Sequence, residues 1–276
     1  MKLSVINTGF FKLDGGAMFG VVPKSIWNKL NPADERNLCT WAMRCLLVDT
    51  GDRRILIDNG IGDKQDARFF SFYYLHGDDS LLSSLNKAGY SPEDITDVFL
   101  THLHFDHCGG GVRLEDGRPV LTFPNATYWT NRDHWKWATE PNAREKASFL
   151  RDNIIPMQES GHLKFVDDEK FDAFDIIYSS GHTDHMMIPR IRYRDKVICF
   201  VADLIPSTGH IPIPYVMAYD TRPLLTMDEK QKFLAEAVEN QYILFFEHDP
   251  NMECCTVHRT EKGIRMERAF PLSEIL

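Results

Sequence analysis

Short apolar runs rich in β-branched and aromatic residues recur down the chain, and each ends on a histidine or an aspartate. Residues 98–101 run into His102, and residues 174–180 run through Gly181 into His182. Residues 197–202 run into Asp203, and residues 242–247 run into His248. Runs of this length and composition, bounded by polar residues or glycine, predict buried strands. Strands of one layered domain bring their carboxyl ends to a shared edge, where loops build sites on a rigid scaffold. Four such endings therefore predict one convergent site.

Between these runs the spacing changes to that of helices. Asp79 or Ser80 caps a helix through Leu81, Leu82 and Leu85, which Gly89 stops. Ser91-Pro92-Glu93-Asp94 has the cap, first-turn proline and early acids of a short helix. Thr226 and Glu229 have capping-box spacing and open a helix with Phe233, Leu234, Ala237 and Val238 on one side. Residues 131–160, with Trp135 and Trp137, read as helical, and residues 256–270 around Glu261-Lys262-Gly263 as a hairpin. The mixture predicts an α/β chain.

The chemistry concentrates in Thr101-His102-Leu103-His104-Phe105-Asp106-His107-Cys108-Gly109-Gly110. Alternating His102 and His104 can face one centre, and Asp106 and His107, across the next bend, another. Imidazole nitrogen and carboxylate oxygen are ligands that borderline divalent metals accept, without any need for thiolate. Composition narrows the rest. A chain of 276 residues with 43% hydrophobic content can bury one substantial core, and no linker or repeat divides it, so residues 1–276 are expected to form a single domain. A net charge of −9 argues against nucleic acid or an anionic membrane as partner. No apolar run is long enough to span a bilayer, and residues 1–7 have no signal-like core. Of six cysteines, Cys254 and Cys255 are adjacent, Cys199 lies in a predicted strand and Cys108 abuts the histidine cluster; reduced thiols and a cytoplasmic location are expected.

The His-x-His-x-Asp-His cluster, the later Gly181-His182-Thr183, the strand-end Asp203 and the late strand-end His248 together resemble the metallo-β-lactamase superfamily of hydrolases, over roughly residues 40 to 250. The resemblance implies a four-layer αβ/βα sandwich with a metal site at one edge of the two sheets. It also implies two divalent metal ions, expected to be zinc: His102, His104 and His182 on one, Asp106, His107 and His248 on the other, and Asp203 bridging. Residues 14–24 and 203–220 look like the quorum-quenching N-acyl-homoserine lactone lactonases. That likeness implies attack of a metal-bridging hydroxide on a lactone carbonyl, with Asp106 passing a proton to the ring alkoxide.

One departure stands out. Several such lactonases carry a tyrosine three residues after the bridging aspartate, where this chain has Pro206, which has no donor. His210, Tyr215 and Tyr219 can substitute, with His210 preferred. Met18, Phe19, Trp27, Phe69, Phe70 and Phe72 are candidates to hold an acyl chain. The expected partner is a small lactone; a homodimer is left open. Organophosphate hydrolases of the same fold remain a rival. So do glyoxalase II-type thioesterases, although little chain follows His248 for their helical segment. Diiron flavoproteins have glutamate where this chain has His104. From another class, a non-catalytic metal-binding protein is disfavoured by the complete seven-ligand set.

Overall fold

The four predicted strands form, each shorter than its apolar run: Asp97–Phe99, Asp175–Ser179, Lys196–Phe200 and Ile243–Phe245. The residues beyond each strand leave the ladder to carry the histidines and aspartates. The computed structural model describes residues 1–276, and the chain divides into two compact units. Met1–Gly9 with Met43–Asp172 make the first; Phe10–Ala42 with Ala173–Leu276 make the second. Two sheets of six strands each, with helices between strands, give the expected mixed α/β class.

In the first sheet the order is Lys2–Asp14, Leu38–Asp49, Arg54–Ile57, Asp97–Phe99, Thr127–Thr130 and Leu163–Phe165. Its last four strands run parallel. That is why Arg54–Ile57 and Asp97–Phe99 deliver their following residues, Asp58 and His102, toward the same end. Val98, Leu56, Tyr128, Leu47 and Ile6 are wholly buried in the core of this unit, with Leu85 and Met157 from neighbouring helices. In the second sheet Lys196–Phe200 and Ile243–Phe245 are parallel neighbours with Phe200 opposite Phe245, so Asp203 and His248 emerge from adjacent strand ends.

The local signals hold where the chemistry is unambiguous. Ser80 caps Leu81–Ala88 through a reciprocal bond with Ser83, and Gly89 closes it in the left-handed region at φ 90°. Pro92–Asp94 is a single 3₁₀ turn. The hairpin is Cys254–Thr260 with Gly263–Phe270, with an irregularity at Thr256/Val257. Residues 131–160 form two helices, Arg132–Thr139 and Arg151–Glu159, not one. The expected helix start at Thr226 is corrected: the helix is Pro223–Glu239, with proline in its first turn. Glu229 abandons the capping box because stronger demands call on it. It accepts from Ser179 Oγ, Ser180 N and Gly181 N at 2.7, 2.8 and 3.0 Å, and so ties down the turn before His182.

No helix is long and apolar enough to cross a membrane, and all six cysteines are buried free thiols.

Candidate metal centre

All seven residues expected to bind metal are at most 8% exposed, so their charges and lone pairs face a desolvated setting and need compensation. In the first unit the strand Asp97–Phe99 ends, Leu100 and Thr101 follow, and the chain turns through His102 and His104 into the short helix Phe105–Cys108. The turn is possible because of Gly109 and Gly110. A Cβ on Gly109 would stand 2.1 Å from the Ile61 carbonyl oxygen, and one on Gly110 2.2 Å from that of Asn59. Backbone lies on backbone there, and no side chain fits.

The hydrogen bonds of the imidazoles decide which nitrogen presents a lone pair. Thr101 Oγ1 donates to Asp58 Oδ2 at 2.6 Å and so accepts from His102 Nδ1 at 3.1 Å, which places the lone pair on His102 Nε2. His104 donates from Nε2 to Glu145 Oε1 at 3.3 Å, which places its lone pair on Nδ1. Those two lone pairs, His102 Nε2 and His104 Nδ1, stand 3.1 Å apart. They repel unless a proton or a cation lies between them. His107 donates from Nδ1 to Asp58 Oδ2 at 3.1 Å, so its lone pair is on Nε2, 3.9 Å from Asp106 Oδ2.

The second unit repeats this logic around one carboxylate. His182 donates from Nδ1 to Asp220 Oδ1 at 2.9 Å, and His248 from Nδ1 to the Ala42 carbonyl at 2.8 Å. Their Nε2 atoms face different oxygens of Asp203: His182 Nε2 is 3.1 Å from Oδ2, and His248 Nε2 is 3.2 Å from Oδ1. A carboxylate with one imidazole at each oxygen has the form of a bridging ligand. Burial disfavours a charged His182, but Asp203 and Asp220 outweigh it and hold its pKa up at about 10. A positive charge is thus demanded at this nitrogen, and a dication satisfies that demand as a proton does. Acceptors that fix the tautomer and orientation of a ligating histidine are the usual outer shell of a metal site, so the donor set fits divalent metal.

Sequence reasoning missed most of that shell. Asp58 could have been found, because it follows the strand Arg54–Ile57 as His102 follows Asp97–Phe99. Glu145, which also accepts from Trp137 Nε1 and Asn142 Nδ2, had no local signal. Nor had Asp220, or His134, whose Nε2 accepts from Leu103 N at 2.9 Å.

The substrate-contact candidates fare differently. His210 is fully buried. Its Nε2 donates to the Met18 carbonyl at 2.9 Å, Ser207 Oγ donates to its Nδ1 at 2.8 Å, and its ring stacks on Phe19 at 4.4 Å. Burial holds its pKa down at about 3, so it stays neutral. With both nitrogens engaged, the preference for His210 as carbonyl donor gives way to a structural role in this loop. Lys230, also buried, fastens the same loop by donating to the carbonyls of His210, Pro212 and Tyr215. Tyr219 is 41% exposed. Met18, Phe19 and Trp27 are core residues, not pocket candidates, whereas Phe72 is exposed.

The family model of the metallo-beta-lactamase superfamily matches residues 44–248. The N-acyl homoserine lactonase AiiA of Bacillus thuringiensis subsp. kurstaki is 22% identical over 246 residues, 83% of this chain and 88% of the relative. A probable metal-dependent hydrolase from Staphylococcus aureus has a similar structure, with a TM-score of 0.87 at 29% identity, covering 98% of this chain and 96% of that one. AidC, a dizinc quorum-quenching lactonase solved with the product N-hexanoyl-L-homoserine, gives 0.78 at 26% identity, covering 98% and 97%. Since the family match spans every one of the seven clustered histidines and aspartates, the chain belongs to the metallo-beta-lactamase superfamily.

Proposed function

We propose that this chain is a dinuclear-metal-dependent hydrolase that opens the ring of N-acyl-homoserine lactones. The observation that carries the reading is the Asp203 carboxylate, with His182 Nε2 at one oxygen and His248 Nε2 at the other. The lactonase relatives named above support the substrate class. By the family's ligand pattern, His102, His104 and His182 would hold one ion, Asp106, His107 and His248 the other, and Asp203 both. Divalent ions so held, zinc being the expected pair, would supply Lewis acidity and bring the pKa of water to about 7. The chain's own residues do the rest. Asp58, Glu145 and Asp220 keep His107, His104 and His182 in the ligating tautomer, as Thr101 does for His102 and the Ala42 carbonyl for His248. Asp106, in the first turn of Phe105–Cys108, takes the proton that the attacking water gives up and passes it to the departing ring oxygen. Tyr219 stays a candidate substrate contact.

Elemental analysis of protein made with ample zinc should return about two ions per chain, and weakly buffered assays should show proton release from N-acyl-homoserine lactones. One ion or none would sink the dinuclear reading. Robust hydrolysis of a phosphotriester or thioester, with lactone turnover no better than free zinc, would move the substrate class to those rivals.

The structural role of His210 makes a separate prediction. His210→Ala removes a stacked ring and two buried hydrogen bonds, so urea unfolding should show a loss of about 3 kcal/mol. The folded variant should retain kcat within a few-fold. A variant as stable as the parent but catalytically dead would restore His210 as a substrate contact.

A further inference from the structure

Pro206 leaves the second unit without the phenol expected beside the bridging aspartate, and the first unit carries one beside the ligand loop. The helix Ala67–Ser71 and the turn after it place Phe69 and Tyr73 one turn apart, with ring centroids 4.9 Å apart. Both rings close on Phe105, the residue between His104 and Asp106. Tyr73 lies 4.8 Å from the Phe105 ring, and Phe69 meets it edge-on at 5.4 Å and 88°. Three aromatic rings in mutual contact fix the phenol relative to the backbone that bears two ligands.

The remainder of the side chain has no structural employment. Tyr73 is half-buried, and its hydroxyl makes no hydrogen bond within the protein. By contrast the buried hydroxyl of Tyr128 donates to Gly111 O, and that of Tyr90 to Asp49. The Tyr73 oxygen is not among the sealed polar atoms of the chain, so it opens to solvent, where a substrate oxygen can meet it. Burial, together with the charge of Asp106, raises the Tyr73 pKa to about 12. At neutral pH the group is therefore a proton-bearing donor that senses the Asp106 carboxylate.

We propose that the Tyr73 hydroxyl is a catalytic hydrogen-bond donor to the substrate oxygen that gains negative charge, in the role that Pro206 cannot fill. This rests on the hydrolase reading given above. The phenol keeps its proton throughout: it donates a hydrogen bond to the carbonyl oxygen, and that bond strengthens as the oxygen becomes an alkoxide. A donor acting mainly on the developing charge lowers the barrier more than it tightens substrate binding.

Tyr73→Phe deletes the hydroxyl and keeps the ring against Phe69 and Phe105. In the zinc-loaded protein it should lower kcat for N-hexanoyl-homoserine lactone by roughly a hundredfold with little change in KM. Zinc content and thermal midpoint should equal those of the parent. The hydrolysed product, N-hexanoyl-homoserine, should bind roughly tenfold more weakly to the variant by calorimetry, because its new carboxylate loses a donor. Parental kcat and parental product affinity in the variant would overturn the assignment, as would loss of zinc or of stability, which would make the hydroxyl structural. If the parent opens no lactone but hydrolyses a phosphotriester, the substrate class fails alone. The same kcat comparison on that substrate then decides Tyr73, since a phosphoryl oxygen needs the same donor.

Discussion

Asp203→Ala should empty both metal positions at once and bring lactone opening down to the uncatalysed rate. Asp203 offers one oxygen to His182 Nε2 and the other to His248 Nε2, so its removal takes a ligand from each ion in the proposed assignment. It also leaves the two imidazoles without the anion they face. The variant should purify with less than about one zinc per chain where the parent holds about two, because a ligand lost from a site costs more than the ten- to hundredfold in affinity typical of an outer-shell partner. His248→Ala is the control: it touches one position, so about one ion should remain. Elemental analysis of both variants, made side by side in excess zinc, reads this directly. Retention of both ions by Asp203→Ala would end the bridging assignment. Equal losses in the two variants would mean that the ions bind only as a pair.

Much of the candidate site was legible because strand ends coincide in sequence with the histidines and aspartates that the fold gathers. Residues 98–101, 174–180, 197–202 and 242–247 each carry enough β-branched and aromatic residues to mark a strand, and a parallel or adjacent strand end is where chain order becomes proximity. The Ser80 cap and Gly89 stop were legible for a similar reason, since cap chemistry acts within one helical turn. What escaped depends on distance along the chain. Glu145 lies 41 residues from His104, Asp220 lies 38 from His182, and Asp58 lies 49 before His107. No local rule links such pairs; only the fold does.

Two misreadings have the opposite cause, a local rule applied where tertiary demand is stronger. Thr226 and Glu229 have capping-box spacing, yet Glu229 satisfies three donors of the turn before His182, and the helix begins at Pro223. Had the box formed, that turn would have lost its acceptor; Gly181 in the same turn lies so close to the Thr226 backbone that a Cβ on it would stand 2.4 Å from Thr226 N. His210 looked like a polar residue in a functional loop. Its neighbours Met18 and Phe19, 192 residues earlier in the case of the Met18 carbonyl, make it a buried support for that loop. A histidine alone in an apolar segment gives no sign of which it is.

The protonation of His182 gives the second large effect. Its pKa in the folded chain is held at about 10 by Asp203 and Asp220 against the opposing pull of burial, whereas the unfolded value is near 6.5. A group whose folded pKa is raised stabilises fully below its unfolded pKa and loses that contribution as pH rises through the folded one. In protein stripped of metal by chelator, unfolding free energy should therefore fall across roughly pH 6.5 to 10, by about 1.4 kcal/mol per pH unit from this one group. Zinc competes for the same Nε2, so the loaded protein should lack that decline, and its metal affinity should rise over the window in which the proton is lost. Urea unfolding at several pH values, with chelator and with zinc, isolates the term by difference. Adding zinc to stripped protein in weak buffer should release a proton near pH 7 and progressively less toward pH 10. Parallel stability curves in chelator and in zinc, or proton release that does not change with pH, would show that His182 is neutral in the stripped chain and that Asp203 and Asp220 do not hold its charge.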